Sequence, residues 1–189
     1  MDRIEELKEK SLRLVDEYIH NENLKKHIYA VQNFMKALAK KFGEDENIWE
    51  IAGLLHDLDW EITKETPEKH SLIAAEILEK EGFPEEIINA VKVHNYIHNI
   101  EPKTLLEKAL YSTEELTGFI VAVALVMPNK SLDEVTVERV LDKLKEKSFA
   151  RGVNREIIYK SEELLGIKLE ELIKICIDSM KEIRDKLGL

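Results

Sequence analysis

Punctuating residues are scarce in this chain, and that scarcity constrains its fold more than any other feature. Seven Gly and four Pro are spread through 189 residues. Between them run long stretches rich in Leu, Glu, Lys and Ala, the residues that lose least on entering a helix. Ile4, Leu7, Leu14 and Tyr18 recur at helical spacing in a first helix over residues 2–20. Asn21 and Asn23 interrupt it and cap a second helix, Leu24 to Phe42, which stops at Gly43. With no repeat, low-complexity tract or linker, the expectation is one all-α helical-bundle domain over residues 1–189.

The same periodicity predicts the remaining helices. A third starts near Asp45 and carries Ile48, Ile51, Ala52 and Leu55 into His56-Asp57. Gly53 in its last turns marks a close approach by a ligand or another helix. Lys69 to Leu78 reads as a helix closed by Gly82, with His70 on the side of Ile73, Ala74 and Ile77. Pro84 opens another, on which Ile87, Val91 and His94 share a face. A long helix from Thr104 to Met127 ends at Pro128, and Leu106, Leu110, Glu114, Thr117 and Val121 form its buried line. Ser131 to Glu134 caps a helix ending near Lys147, and helices over 155–165 and 169–187 finish the chain.

Charge narrows the function classes. Lys and Arg number 28 against 38 Asp and Glu, a net charge of −10. Such a surface is poorly suited to long nucleic acid or an anionic membrane. Cys176 is the only cysteine, so no internal disulfide forms, and a reducing cytoplasm is the expected location. Met1 to Glu6 lacks the apolar core of a signal peptide, and the longest apolar run, Phe119 to Met127, is too short for a membrane span.

Four histidines, His27, His56, His70 and His94, fall on the apolar sides of four different predicted helices. Asp57 adjoins one of them, and Glu114 lies on a buried line where an unpaired carboxylate is costly. A single histidine on an apolar face is usually a satisfied core residue. Four of them with two carboxylates share one economical explanation, a metal centre in the core of the bundle. Imidazole and carboxylate without thiolate suit one or two divalent ions among Mn, Fe, Co, Ni, Zn and Mg. Six ligands exceed the needs of one tetrahedral ion. Two ions bridged by Asp57 and a water would use them all, lowering the pKa of that water and neutralising charge on a phosphoryl oxygen.

His27, His56-Asp57, His70, His94 and an acidic residue on the long helix together resemble the HD-domain superfamily of metal-dependent phosphohydrolases. The core motifs cover residues 24–120. The segments Leu105 to Tyr111, Leu116 to Ile120 and Lys143 to Arg155 are similar to the small bacterial and archaeal members. The resemblance implies His27, His56 and Asp57 as ligands of a first metal, closed by Glu114. It implies His70 and His94 for a second, with Asp57 bridging. The family normally closes with aspartate, whereas glutamate stands here, with Glu115 as the alternative one residue on. Many two-metal members follow the pair with Ile-Gly-Lys, whereas this chain has Leu58-Asp59-Trp60.

Asp59 is either a catalytic carboxylate orienting a water or substrate hydroxyl, or a helix-end cap or surface carboxylate. Lys143, Lys147, Arg151 and Arg155 are spaced by four. Lys147, Arg151 and Arg155 are candidates to bind substrate phosphate, Arg155 as part of the catalytic machinery, although Gly152 interrupts the stripe. Trp60 and Tyr111 are the aromatics to test against a nucleotide ring, and His98 is either a pocket-rim or a surface histidine. The expected activity is hydrolysis of a small phosphate ester, a nucleotide or other phosphomonoester. A metal- or nucleotide-binding regulatory module without turnover and a structural helical adaptor are the alternatives.

Overall fold

A computed structural model describes residues 3–189; the expected first residue of the opening helix, Asp2, lies outside them. Among the described residues there are helices and turns but no strand. The helices are α1 (Arg3–Tyr18), α2 (Glu22–Phe42), α3 (Glu46–Leu55), α4 (Trp60–Thr63), α5 (Leu72–Lys80), α6 (Glu85–His94), α7 (Leu105–Leu125), α8 (Val137–Lys145), α9 (Arg155–Leu165), α10 (Leu169–Glu182) and α11 (Arg184–Leu187). The all-α expectation holds.

Local chemistry sets most of the boundaries. Asn21 Oδ1 accepts from the Asn23 and Leu24 N–H groups at the start of α2, and Gly43 ends that helix at φ 73°. Asp45 caps α3 in the same way. Thr104 and Glu107 form a reciprocal capping box on α7. Three expected helices are placed differently. His70 precedes α5 rather than lying on it, because Ser71 takes a left-handed φ of 72° and its hydroxyl donates to Lys92 O. The stretch after Ser131 makes one short turn before Thr136 caps α8, which ends at Lys145 rather than Lys147. The last helix breaks at Ile183, where φ is −117°.

One contiguous apolar core draws on every helix but α4, with α2, α3 and α7 at its centre. Gly53 decides how α3 meets α2. A Cβ there would lie 3.0 Å from both Gln32 Cα and Val31 O, so the glycine serves a helix crossing. The tight crossing brings the end of α3 alongside the first turns of α2, and His56 against His27. Glu50 on α3 is buried but paired with Lys8 and Lys36.

Candidate metal centre

Six side chains from five places in the chain meet in this core. α2 supplies His27, the end of α3 supplies His56 and Asp57, the residue two before α5 supplies His70, the last residue of α6 is His94, and α7 supplies Glu114. They form two groups able to hold an ion, His27–His56–Asp57–Glu114 and Asp57–His70–His94.

Three of the imidazoles are oriented by their far nitrogens. His56 Nδ1 donates to Gly53 O at 2.8 Å and His94 Nδ1 to Val91 O at 2.6 Å. Each satisfies a carbonyl left over by the last turn of its own helix. His70 Nδ1 donates to Asp59 Oδ1 at 2.8 Å. Each Nε2 is thereby turned toward Asp57, as ligating histidines require.

The spacing of the inner atoms fits cation binding. Asp57 Oδ2 lies 3.4 Å from His56 Nε2 and 3.6 Å from His27 Nε2, and Glu114 Oε1 lies 3.5 Å from His27 Nε2. On the other side, Asp57 Oδ1 lies 3.3 Å from His70 Nε2 and 3.6 Å from His94 Nε2. These separations are long for hydrogen bonds. Ligands about 2.1 Å from one ion stand about 3.0–3.4 Å apart, close to what is seen. His94 Nε2 is buried with no hydrogen-bond partner, a lone pair without a proton or donor to meet it. The donor set thus fits one or two divalent ions.

The electrostatics of the cluster differ from one group to the next. Burial works against the Asp57 carboxylate, but the surrounding imidazoles, His56 first, hold its pKa well below the usual range. Burial, reinforced by the neighbouring His56 and His70, keeps His94 low and therefore neutral. Burial opposes a charge on His70, yet hydrogen bonds to Asp57 and Asp59 raise its pKa to about 10. Burial likewise opposes charge on His27, but Glu114 and Asp57 outweigh it and raise its pKa. A metal held here would take the place of the protons on His27 and His70, so its affinity would rise with pH. Glu115 is pushed up to about 7 by burial and the Glu114 charge.

Asp59 is a helix cap, but of α5 rather than of the helix before it. It is fully buried, and while Oδ1 takes the His70 proton, Oδ2 accepts the Ala74 N–H at 2.9 Å. Both oxygens are engaged, so it orients His70 and caps α5 in place of Ser71 rather than meeting substrate. Arg155 also differs from expectation. Its guanidinium donates to the carbonyls of Leu144, Glu146, Phe149 and Ala150 and lies over the Phe119 ring, so its donors are occupied within the fold. Because α8 stops at Lys145, the basic positions share no helical face. Lys147 and Arg151 are exposed in the connection to α9, and Arg151 adjoins Gly152 at the rim of the centre.

Two openings reach the centre. One, about 290 Å³, is lined by His70, His94, Glu114, Glu115, Trp60 and Tyr96 among others. Trp60 packs edge-on against His70, with ring centroids 5.0 Å apart. The other, about 400 Å³, lies beside His27 and includes Lys26, Gly118 and Val121. Tyr111 lines a separate surface recess with Lys160, away from the ligands. Helical spacing gave no sign of Asn95, whose amide donates to His70 O at 3.1 Å. His98 Nε2 makes the same contact at 2.7 Å, so it braces the centre.

Comparison with known proteins agrees with this geometry. The model of the HD domain family matches residues 24–144. A Ribonuclease Y of Oleidesulfovibrio alaskensis is 28% identical over 98 residues, covering 52% of this chain and 18% of that protein. A Ribonuclease Y of Aquifex aeolicus is 33% identical over 91 residues, covering 48% and 16%. The chain therefore spans less than a fifth of the length of either relative. No solved structure matches.

Proposed function

Because this chain belongs to the HD domain family of metal-dependent phosphohydrolases, we propose that it hydrolyses a small phosphate ester at the Asp57 centre. The observation that carries the proposal is the placement of Asp57. Its two oxygens face two separate sets of imidazoles, and the buried His94 Nε2 in one set has no partner among the protein's own donors.

When bound, divalent ions supply an acidified water and a counter-charge for phosphoryl oxygens. The protein's own side chains do the rest. Asp57 holds both sites together, and His27, His56 and Glu114 surround one of its oxygens while His70 and His94 surround the other. Asp59 engages the Nδ1 proton of His70, so Nε2 is the nitrogen that would face a metal. Glutamate at 114 is a competent oxygen ligand, with a longer reach than aspartate. Trp60 and Tyr96, 43% and 41% exposed, offer flat apolar contact beside the ligands, suited to the organic part of a small ester. Arg151 is the cation best placed to meet a phosphate approaching that rim.

RNA cleavage is a second reading, favoured by the Ribonuclease Y relatives. The net charge of −10 weighs against a long polyanion, since such binding draws on many phosphate contacts. The test is hydrolysis of a nucleotide panel and of labelled RNA by protein loaded with Mn, Co, Ni, Zn or Mg. Metal-dependent turnover, lost together with bound metal in Asp57→Ala, is expected. Stoichiometric metal with no turnover would point to the regulatory module, and no retained metal to the adaptor.

A further inference from the structure

Glu115 is a half-buried carboxylate that neither group of candidate ligands includes. It follows Glu114 on α7 and borders the same recess as His70 and His94. Its Oε2 accepts the Asn154 N–H at 3.0 Å, from 39 residues further along the chain. Asn154 ends the connection between α8 and α9, since its own Oδ1 accepts the Glu156 N–H and caps α9. Gly152, two residues before it, is another wall of the recess.

This connection is closed on itself. The Phe149 N–H donates to Glu146 O at 3.0 Å and the Val153 N–H to Ala150 O at 3.1 Å. Arg155 gathers the carbonyls of Leu144, Glu146, Phe149 and Ala150. Ala150 is held at a left-handed φ of 43°, which a residue with a Cβ keeps only when its surroundings impose it. α7 fastens the unit at two positions one turn apart. Phe119 packs edge-on against Phe149, with ring centroids 5.5 Å apart, and Glu115 holds Asn154. Ring packing tolerates sliding and rotation, whereas a hydrogen bond fixes length and direction. Between the two fastened residues stands Arg151, exposed and with no hydrogen-bond or ion-pair partner among the described residues. Building on the proposed phosphohydrolase activity, we infer that Glu115 is a positioning residue for Arg151. Through Asn154 it sets where Gly152 stands at the recess, and so where the neighbouring guanidinium meets the phosphate of a bound ester. The negative charge of Glu115 is a handicap to an anion there. What the side chain contributes is its acceptor oxygen.

Glu115→Gln and Glu115→Ala separate charge from acceptor. Both remove the negative charge and both suit a helix, but only glutamine keeps an oxygen for the Asn154 N–H. Two measurements compare them: calorimetric titration of inorganic phosphate into manganese-loaded protein, and amide exchange of metal-free protein over residues 150–154. Exchange is expected to be about tenfold faster in Glu115→Ala than in Glu115→Gln. Phosphate is expected to bind Glu115→Ala about tenfold more weakly than Glu115→Gln, with manganese affinity equal in the two. Adding Arg151→Ala is expected to cost about tenfold beside glutamine but less than about twofold beside alanine, because a displaced guanidinium has little left to lose. Equal exchange or equal phosphate affinity in the two variants overturns the positioning role and leaves the phosphohydrolase reading standing. An Arg151→Ala loss of the same size in both backgrounds does so too. Manganese affinity lost in both variants overturns it by making Glu115 a metal ligand. No phosphate binding by loaded wild-type protein, together with no hydrolysis of any ester, overturns the phosphohydrolase reading and the inference with it.

Discussion

Asp59→Asn isolates what a buried carboxylate does for a ligand it never shares. Asp59 offers two acceptors, one for His70 Nδ1–H and one for the Ala74 N–H. Asparagine offers one oxygen and one NH2. The Ala74 amide, which can only donate, takes the oxygen, and the NH2 then confronts His70 Nδ1, a donor against a donor. The imidazole, which carries both protons in the metal-free protein, resolves the conflict by giving up the one on Nδ1 and keeping the one on Nε2, where Asp57 Oδ1 lies 3.3 Å away. In that tautomer His70 is hydrogen-bonded at both ends but has no lone pair to give a metal. Metal-free stability should therefore fall by only about 1 kcal/mol. Affinity at the His70–His94 side should fall about 10–100-fold, or about 1.4–2.7 kcal/mol. Calorimetric titration with Mn measures the affinity, and ¹⁵N chemical shifts of His70 report the tautomer. Affinity unchanged with the proton still on Nδ1 would refute the orienting role.

Gly53→Ala should destabilise the fold by about 1–2 kcal/mol in urea denaturation, because crowding against the α2 backbone outweighs the gain in helix propensity. An equally stable variant would mean that the α2–α3 crossing has slack. Arg155→Ala should lower stability by about 2 kcal/mol and speed amide exchange across residues 146–151, since four carbonyls lose their donor. An unchanged Tm with a raised KM would instead return Arg155 to phosphate binding. Glu61 accepts the His20 and Asn21 N–H groups, and the Asn21 contact is the main cause of its lowered pKa. A lowered carboxylate pKa stabilises above the ordinary value of 4.5 and loses that contribution as pH falls through the folded value. Glu61→Gln should therefore cost about 1 kcal/mol at pH 7, discounted for solvent screening, and nothing at low pH. A deficit independent of pH would exclude the charge as its source.

What the sequence made visible follows the range over which each signal acts. Asn21, Asp45 and Thr104 cap through local hydrogen bonds within three residues, and the helix starts expected beside them hold to within two residues. His27, His56 and His94 stood out because helical period placed them among apolar residues. His70 was picked out too, but on a helix it precedes. The left-handed turn at Ser71 is held by a carbonyl 21 residues away, which no local pattern carries. Asp59 was ambiguous for the same reason, since a buried carboxylate makes sense only with its partner 11 residues on. The period-four stripe of basic residues suggested a shared face, but period implies a face only while the helix continues, and α8 ends first.

Two of the candidate ligand histidines are also the points where their helices stop. His56 follows the last residue of α3, and His94 is the last residue of α6. The carboxyl end of a helix carries a partial negative charge from its aligned peptide dipoles, felt within about one turn. The His56 and His94 rings at these two ends meet with centroids 5.1 Å apart, so the backbone adds attraction for a cation that no side chain supplies. Retention of a divalent ion should therefore survive exchanges among charged surface residues better than any change that carries α3 or α6 one turn further.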